Sequence, residues 1–220
     1  MFDSINKPPV LLALYERYLD DRDAGKFAIA ASQRYTTPTL ERLAEAGDRY
    51  RRRAAVLALG LLADYESNNV VGCALVDSDR GVRMLAENSI RLLWTRAGNR
   101  YQRKQLAVII RLNESGDYEK AVQSATELLE QAPWFAEIWN QRAVANFNLK
   151  RYTDSIRDCR QTLEINPYHF DAAAGMGRCY LKLDDRISTL ECFRRALRLN
   201  PNLEQIRAQV VYLQKSLKDK

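Results

Sequence analysis

Pro133, Pro167 and Pro201 stand 34 residues apart, and no other feature limits the fold of this chain so tightly. The last two of the segments they close end alike, in Leu163-Glu164-Ile165-Asn166-Pro167 and Leu197-Arg198-Leu199-Asn200-Pro201. Each segment reads as two short amphipathic helices joined by a turn. A fixed period of this length builds stacked helical hairpins, because one hairpin cannot bury its apolar face without a neighbour. The spacing predicts an all-α solenoid that presents surfaces rather than a closed globule around one pocket.

The residues inside the period have physical reasons. Small residues such as Gly177 and Ala196 let the two helices of a hairpin approach, while Tyr180 and Phe193 fill the gaps beside them. Gly116-Asp117 and Asp184-Asp185 mark tight turns inside hairpins. Each Asn-Pro pair is expected to end one helix in a left-handed cap and to start the next with proline. A last helix, about Leu203 to Lys218, is apolar at Ile206, Val210, Leu213 and Leu217. It closes the stack, and Lys215, Lys218 and Lys220 suit its negative end.

Counted back from Pro167, Trp139, Ala143, Ser155, Cys159 and Thr162 fall where a tetratricopeptide repeat has Trp, a small residue, Ala, an aromatic and Ala. The stretch Trp139-Asn140-Gln141-Arg142-Ala143, followed by Phe147, Leu149, Tyr152 and Ile156, resembles that family closely. Gly177, Tyr180, Phe193 and Ala196 repeat the scheme, with departures at Ala173, Thr189 and Asn146. The unit from Gln102 to Phe135 keeps Gly116-Asp117-Tyr118, Ala121 and Pro133 but puts Ile109 and Leu128 where small residues are usual. The resemblance implies three repeats and a capping helix over residues 100–220, wound as a right-handed superhelix.

Residues 1–99 carry a second self-similarity, of slightly shorter period. Asp48-Arg49 aligns with Asp79-Arg80, Arg52 with Arg83, Ala55 with Ala86, and Leu61-Leu62 with Leu92-Leu93. The run Ala74 to Ala86, with Asp77, Asp79, Val82 and Arg83, resembles a HEAT repeat, in which an Asp-rich turn precedes a helix opened by Val-Arg. The Asp residues favour the positive N-terminus of that helix, and the Arg stem packs across neighbouring turns. Two such units are read, Thr37 to Glu66 and Ser67 to Ala97. A degenerate helix pair, Pro9 to Leu19 and Lys26 to Tyr35, caps them. The break between the arrays is expected at Gly98-Asn99, too short for a tether, so the two arrays are expected to form one continuous bent solenoid with Trp94 packed at the junction.

Composition excludes several classes. The only early apolar run, Val10 to Leu14, is too short for a secretory leader and is followed by Glu16 and Arg17. No stretch reaches the length of a membrane span. Cys73, Cys159, Cys179 and Cys192 lack paired spacing and read as reduced, buried thiols, which fits the cytoplasm. His169, the one histidine, reads as a surface residue without a role, so no metal or other cofactor is expected. No nucleophile elbow or phosphate loop is present; Gly175-Met176-Gly177 lies mid-helix. HEAT-like stacks do occur in enzymes, including lyases that attach bilins and glycosylases that remove alkylated bases. That fold-level likeness stays the weakest alternative here, because the residues offer no catalytic constellation.

The reading favoured is a non-catalytic scaffold or adaptor that binds a peptide or protein. In tetratricopeptide proteins the first helices of successive hairpins line a concave groove. Carried onto this sequence, that groove takes Arg103, Leu106, Ile110, Asn113 and Glu114 from the first repeat. The second gives Glu137, Asn140, Val144, Phe147 and Asn148; the third gives Asp171, Ala174, Arg178, Leu181 and Lys182; the last helix adds Gln205 and Ala208. Asn140 suits bidentate bonds to a peptide backbone, and Arg103, Arg178 and Lys182 suit a carboxylate. The carboxylate clamp of chaperone-tail-binding relatives needs other residues where this chain has Leu106, Ile110, Gln141, Asp171 and Gly175, so that form of recognition is not expected.

Nucleic acid is the alternative partner. The net charge is +6, with 20 basic and 15 acidic residues after position 99 against 14 and 13 before it. Arg49, Arg51, Arg52 and Arg53 form one basic run, and Arg194, Arg195 and Arg198 another. Helical spacing spreads such runs around the helix, and Glu45 and Asp48 stand close by, so a solvated face is preferred. Self-association is a further expectation, since imperfectly capped repeat ends stack on each other.

Overall fold

The computed structural model describes residues 10–218, and every regular element among them is helical. Pro9 and Lys220 lie outside the described residues, as does the side chain of Lys218. The chain divides into two compact units between Leu93 and Trp94, and each is taken by itself.

The first unit contains α1 (Val10–Asp21), α2 (Ala24–Ser32), α3 (Thr37–Ala46), α4 (Arg49–Leu62), a short 3-10 turn (Tyr65–Ser67), α5 (Asn68–Ala74) and most of α6 (Arg80–Trp94). Residues Ala54 to Gly60 of α4 are buried without interruption, as a helix packed on several sides must be. Leu11, Phe27, Leu40 and Val71 are buried on the helices α1, α2, α3 and α5 that pack against it. Ser89 on α6 donates to the Val56 carbonyl of α4 at 3.1 Å.

The alignment of Asp48 with Asp79 has a counterpart in hydrogen bonds. Asp48 accepts from the Tyr50 and Arg51 amides at the start of α4, and Asp79 accepts from Val82 at the start of α6. One turn after each Asp, an arginine returns to the carbonyl just before it: Arg52 to Gly47 at 2.9 Å and Arg83 to Ser78 at 3.2 Å. Arg83 thus ties the aspartate-rich turn together by its guanidinium, which also reaches the Asp77 carbonyl at 2.8 Å.

The second unit begins at Trp94 and continues with α7 (Arg100–Ser115), α8 (Tyr118–Gln131), α9 (Ala136–Asn148), α10 (Tyr152–Ile165), α11 (Phe170–Lys182), α12 (Arg186–Leu199) and α13 (Glu204–Lys218). Each helix packs on the next, and α7, α9 and α11 also pack side by side in one layer. The unit is an α-solenoid of three hairpins and a final helix. Asn99 caps α7 with Gln102 in a reciprocal box, and Arg103 returns to Gly98 just as the two arginines of the first unit do.

The hairpin turns recur with the same period as the prolines. Gly116, Lys150 and Asp184 all sit at positive φ, of 83°, 62° and 59°. The amide of the residue after each one reaches back to Leu112, Asn146 and Tyr180 at 2.8 to 3.0 Å. This left-handed cap satisfies helix carbonyls that would otherwise be orphaned.

The Asn-Pro pairs close their helices by a different route from the expected left-handed cap. Asn166 and Asn200 are extended, with φ of −127° and −139°. The ring of the following proline pushes the preceding residue out of helical space. The asparagine side chains instead accept the Tyr168 and Asn202 amides, forming local turns.

Packing within the hairpins turns on small residues. A Cβ added at Gly177 would stand 2.5 Å from the Phe193 ring, and Phe193 is fully buried between α11 and its neighbours. Ile206, Val210 and Leu213 of α13 complete that core, while Leu217 is more than a third exposed.

Lys150 carries a Cβ in a conformation that costs about 1 kcal/mol or more for an L residue, partly offset by the chain entropy a glycine loses. Lys150→Gly should therefore raise stability by about 0.5 kcal/mol in urea melts, whereas Gly177→Ala should lower it by about 1–3 kcal/mol through overpacking.

Candidate binding groove

Between α9 and α11 lies an open cavity of about 410 Å³. From α9 it takes Asn140, Gln141, Ala143, Val144, Phe147 and Asn148; from α10, Ser155 and Cys159; from α11, Asp171, Gly175 and Arg178. The sequence-derived groove residues Asn140, Val144, Phe147, Asn148, Asp171 and Arg178 are thus brought together. Leu181 and Lys182 continue exposed along α11 beyond the cavity, as do Gln205 and Ala208 on α13. Gln141 and Gly175 line the cavity but were not among the expected groove positions. Both occupy the sixth place of their repeats, a place the chaperone clamp uses, so the register held a signal for them.

The first repeat contributes less than expected. Leu106 is core, 1% exposed, because α7 turns it inward. Arg103 donates to the Gly98 carbonyl at 2.8 Å. Asn113 gives its amide to the Gln141 backbone and side-chain oxygens, both at 2.9 Å, and so orients a cavity wall without lining it. Ile110 is half-exposed and Glu114 exposed, outside the cavity. Ala174 is buried.

Glu137 is a support beneath the groove rather than a contact in it. It is 5% exposed, and its Oε1 accepts from Asn140 and Gln141 at 3.1 and 2.7 Å. Its Oε2 meets Nε2 of His169 at 2.9 Å. Nδ1 of His169 accepts from the Ala172 amide, capping α11, so the ring proton lies on Nε2 and is donated to Glu137. The expectation of a surface histidine is corrected: His169 is fully buried, with the Trp94 ring stacked on it at 3.8 Å. A histidine that caps a helix and bonds a carboxylate is satisfied inside the protein, and the isolated residue gave no sign of its distant partners.

Two of the four arginines in the α4 run are engaged by carboxylates within the first unit. Arg52 grips Asp77 with two bonds of 2.7 and 2.8 Å, and Arg53 grips Asp79 with two of 2.7 Å. Arg51 stands 3.4 Å from Asp48, and Arg49 reaches the Tyr50 hydroxyl. Partners in the turn before α6 neutralise the half-buried pair, which the local sequence could not disclose. The Arg53 bonds hold the Asp79 carboxyl well below its usual range, at about 2.

Burial raises the thiols of Cys159 and Cys179, and burial followed by Glu191 pushes Cys192 up to about 11. These groups are poor nucleophiles at neutral pH. Cys73 departs from the expected burial and is exposed. Among the described residues no group of three or more His, Cys, Asp or Glu could hold a metal ion.

A tetratricopeptide repeat model matches residues 136–169 and 171–203, the hairpins that enclose the cavity. These two stretches are similar to tetratricopeptide repeats. A TPR repeat-containing protein of Rhizobium etli is 30% identical over 134 residues, covering 59% of this chain and 64% of that protein. The SGT1 homolog of Bos taurus is 32% identical over 84 residues, 38% of this chain and 25% of that protein. The chain thus spans less than two thirds of these relatives. Among solved structures, the first TPR domain of Spaghetti (RPAP3), bound to the HSP90 peptide SRMEEVD, superposes with a TM-score of 0.51 at 20% identity. The match covers 53% of this chain and 93% of that one and establishes a shared fold.

Two measurements check this chemistry. Maleimide should label Cys73 alone in the native protein and all four cysteines after denaturation. Asp79→Asn should lower stability above pH 4, where the wild-type carboxylate is ionised in both states. That difference should close as pH falls from about 4 towards about 2, because the depressed native value removes the contribution there.

Proposed function

We propose that the chain is a non-catalytic adaptor that holds a protein or peptide segment in the groove between α9 and α11. The observation that carries this reading is the cavity itself. Val144 and Phe147 supply apolar surface, while Asn140, Asn148 and Arg178 supply a few polar groups beside it, all facing one open space. A peptide site combines those two kinds of contact. The relatives are in keeping with it, and the Spaghetti domain is one whose peptide-bound form is known.

The partner is not held by a chaperone-type clamp. Of the five clamp positions, Leu106 is in the core, Asp171 carries the wrong charge, Ile110 and Gly175 have no polar side chain, and Gln141 stands in place of asparagine. We read the first unit as HEAT-like, supported by the paired aspartate caps and returning arginines, and as a second surface of the same adaptor. The two arrays are assigned to residues 1–99 and 100–220. No helix among the described residues is long and apolar enough to cross a membrane, and the four free cysteines suit the cytoplasm.

Asn140→Ala combined with Arg178→Glu removes two groove contacts, the first together with one of the three hydrogen bonds that hold Glu137. Proteins captured by the wild-type chain should be recovered at least about tenfold less by this variant, with unchanged helical circular dichroism. Equal recovery by the folded variant would argue that binding lies elsewhere.

A further inference from the structure

α13 carries two apolar stripes, and the fold of the chain buries only one of them. Ile206, Val210 and Leu213 point into the core of the second unit. The outer face holds Ala208, together with Val211, 62% exposed, and Tyr212, 73% exposed. A helix that only closes a solenoid needs a polar outer face to stay soluble. Val211 is also out of keeping with its place in the repeat. Ala143 and Gly177 hold the same place in the two preceding 34-residue periods. There the second helix of each hairpin packs antiparallel. Phe193 of α12 stands over Gly177, and Ser155 of α10 donates to the Ala143 carbonyl at 2.8 Å. On α13 that side is open among the described residues.

We propose that the outer face of α13 pairs antiparallel with the same face of a second copy, forming a two-fold dimer. Glu204, Ala208, Val211 and Lys215 are all exposed and follow one another at gaps of four, three and four residues. That is the seam spacing of two helices wound against each other. Glu204 and Lys215 lie equally far from the midpoint between Gln209 and Val210, and so do Ala208 and Val211. A two-fold axis at that midpoint sets Glu204 against the partner's Lys215 at both ends of the seam. At its centre it sets Val211 against the partner's Ala208. The face is thus complementary to itself in charge and in size. A parallel pair would set Glu204 and Lys215 against their own kind. The small side chain of Ala208 lets the helix axes approach to about 8 Å, and Tyr212, at the edge of the stripe, lies over the partner's Ala208. Arg207, beside the stripe, donates to the Pro201 carbonyl of its own chain.

Sedimentation velocity of the full chain over a concentration series reads this association. The wild type should form a dimer that dissociates on dilution. Val211→Arg should weaken it at least about tenfold, since an unpaired charge then sits at the centre of the seam in both copies. Lys215→Glu and Glu204→Lys should each weaken self-association about fivefold or more. An equimolar mixture of those two variants should associate again, because every end of the mixed seam pairs acid with base. Misfolding cannot produce that recovery. A wild-type chain that stays monomeric at about 100 μM overturns the proposal. A dimer that survives Val211→Arg and ignores both charge variants lies on another surface and overturns it as well. So does a monomeric chain whose Val211→Arg variant loses a captured protein instead, since the face then serves a different partner.

Discussion

The second unit depends on a reversal in which one residue per hairpin takes the left-handed region. At Gly116, Lys150 and Asp184 the backbone bends so that the following amide reaches the last turn of the helix just ended. That bend sends the second helix of each hairpin straight back against the first. The extended asparagine before each of the last two prolines then launches the next element, the third hairpin after Asn166 and the final helix after Asn200. Because both joints recur at a fixed interval, successive first helices land beside one another, and a shared face between α9 and α11 follows. The cavity is a consequence of repetition rather than a feature built for itself.

What makes that face a specific surface is the layer beneath it. Glu137 is held by three donors and in turn fixes Asn140 and Gln141, while His169 ties it to the first turn of α11 and to Trp94. A buried carboxylate with this many hydrogen bonds is stable where an unpaired one would be costly. The amides of the groove wall therefore have defined orientations before any ligand arrives, which lowers the ordering cost of binding. Arg178 stands on the cavity wall outside this network.

The helices and their turns were legible because they obey local rules: the proline interval, the turn pairs and the small residues facing aromatics each act over a few neighbouring positions. Gly177 against Phe193 could be read from spacing alone, since a hairpin brings such positions together. The groove was legible along α9 and α11 for the same reason. What escaped were partners far apart in the chain. The role of His169 depends on Glu137, a whole repeat upstream, and on Trp94, which precedes the first hairpin. That of Arg52 and Arg53 depends on aspartates in the turn before α6. At Asn166 and Asn200 two local rules conflict, and the proline outweighs the tolerance of asparagine for left-handed geometry.

The groove as the binding surface is tested most directly by two-dimensional amide NMR of the labelled chain titrated with a segment of a partner captured by the wild-type chain. Saturable shift changes should gather at Asn140, Val144, Asn148, Gly175 and Arg178 and leave the first unit and α13 unmoved. Changes centred on the arginines of α4 or on the outer face of α13, with α9 and α11 silent, would contradict it.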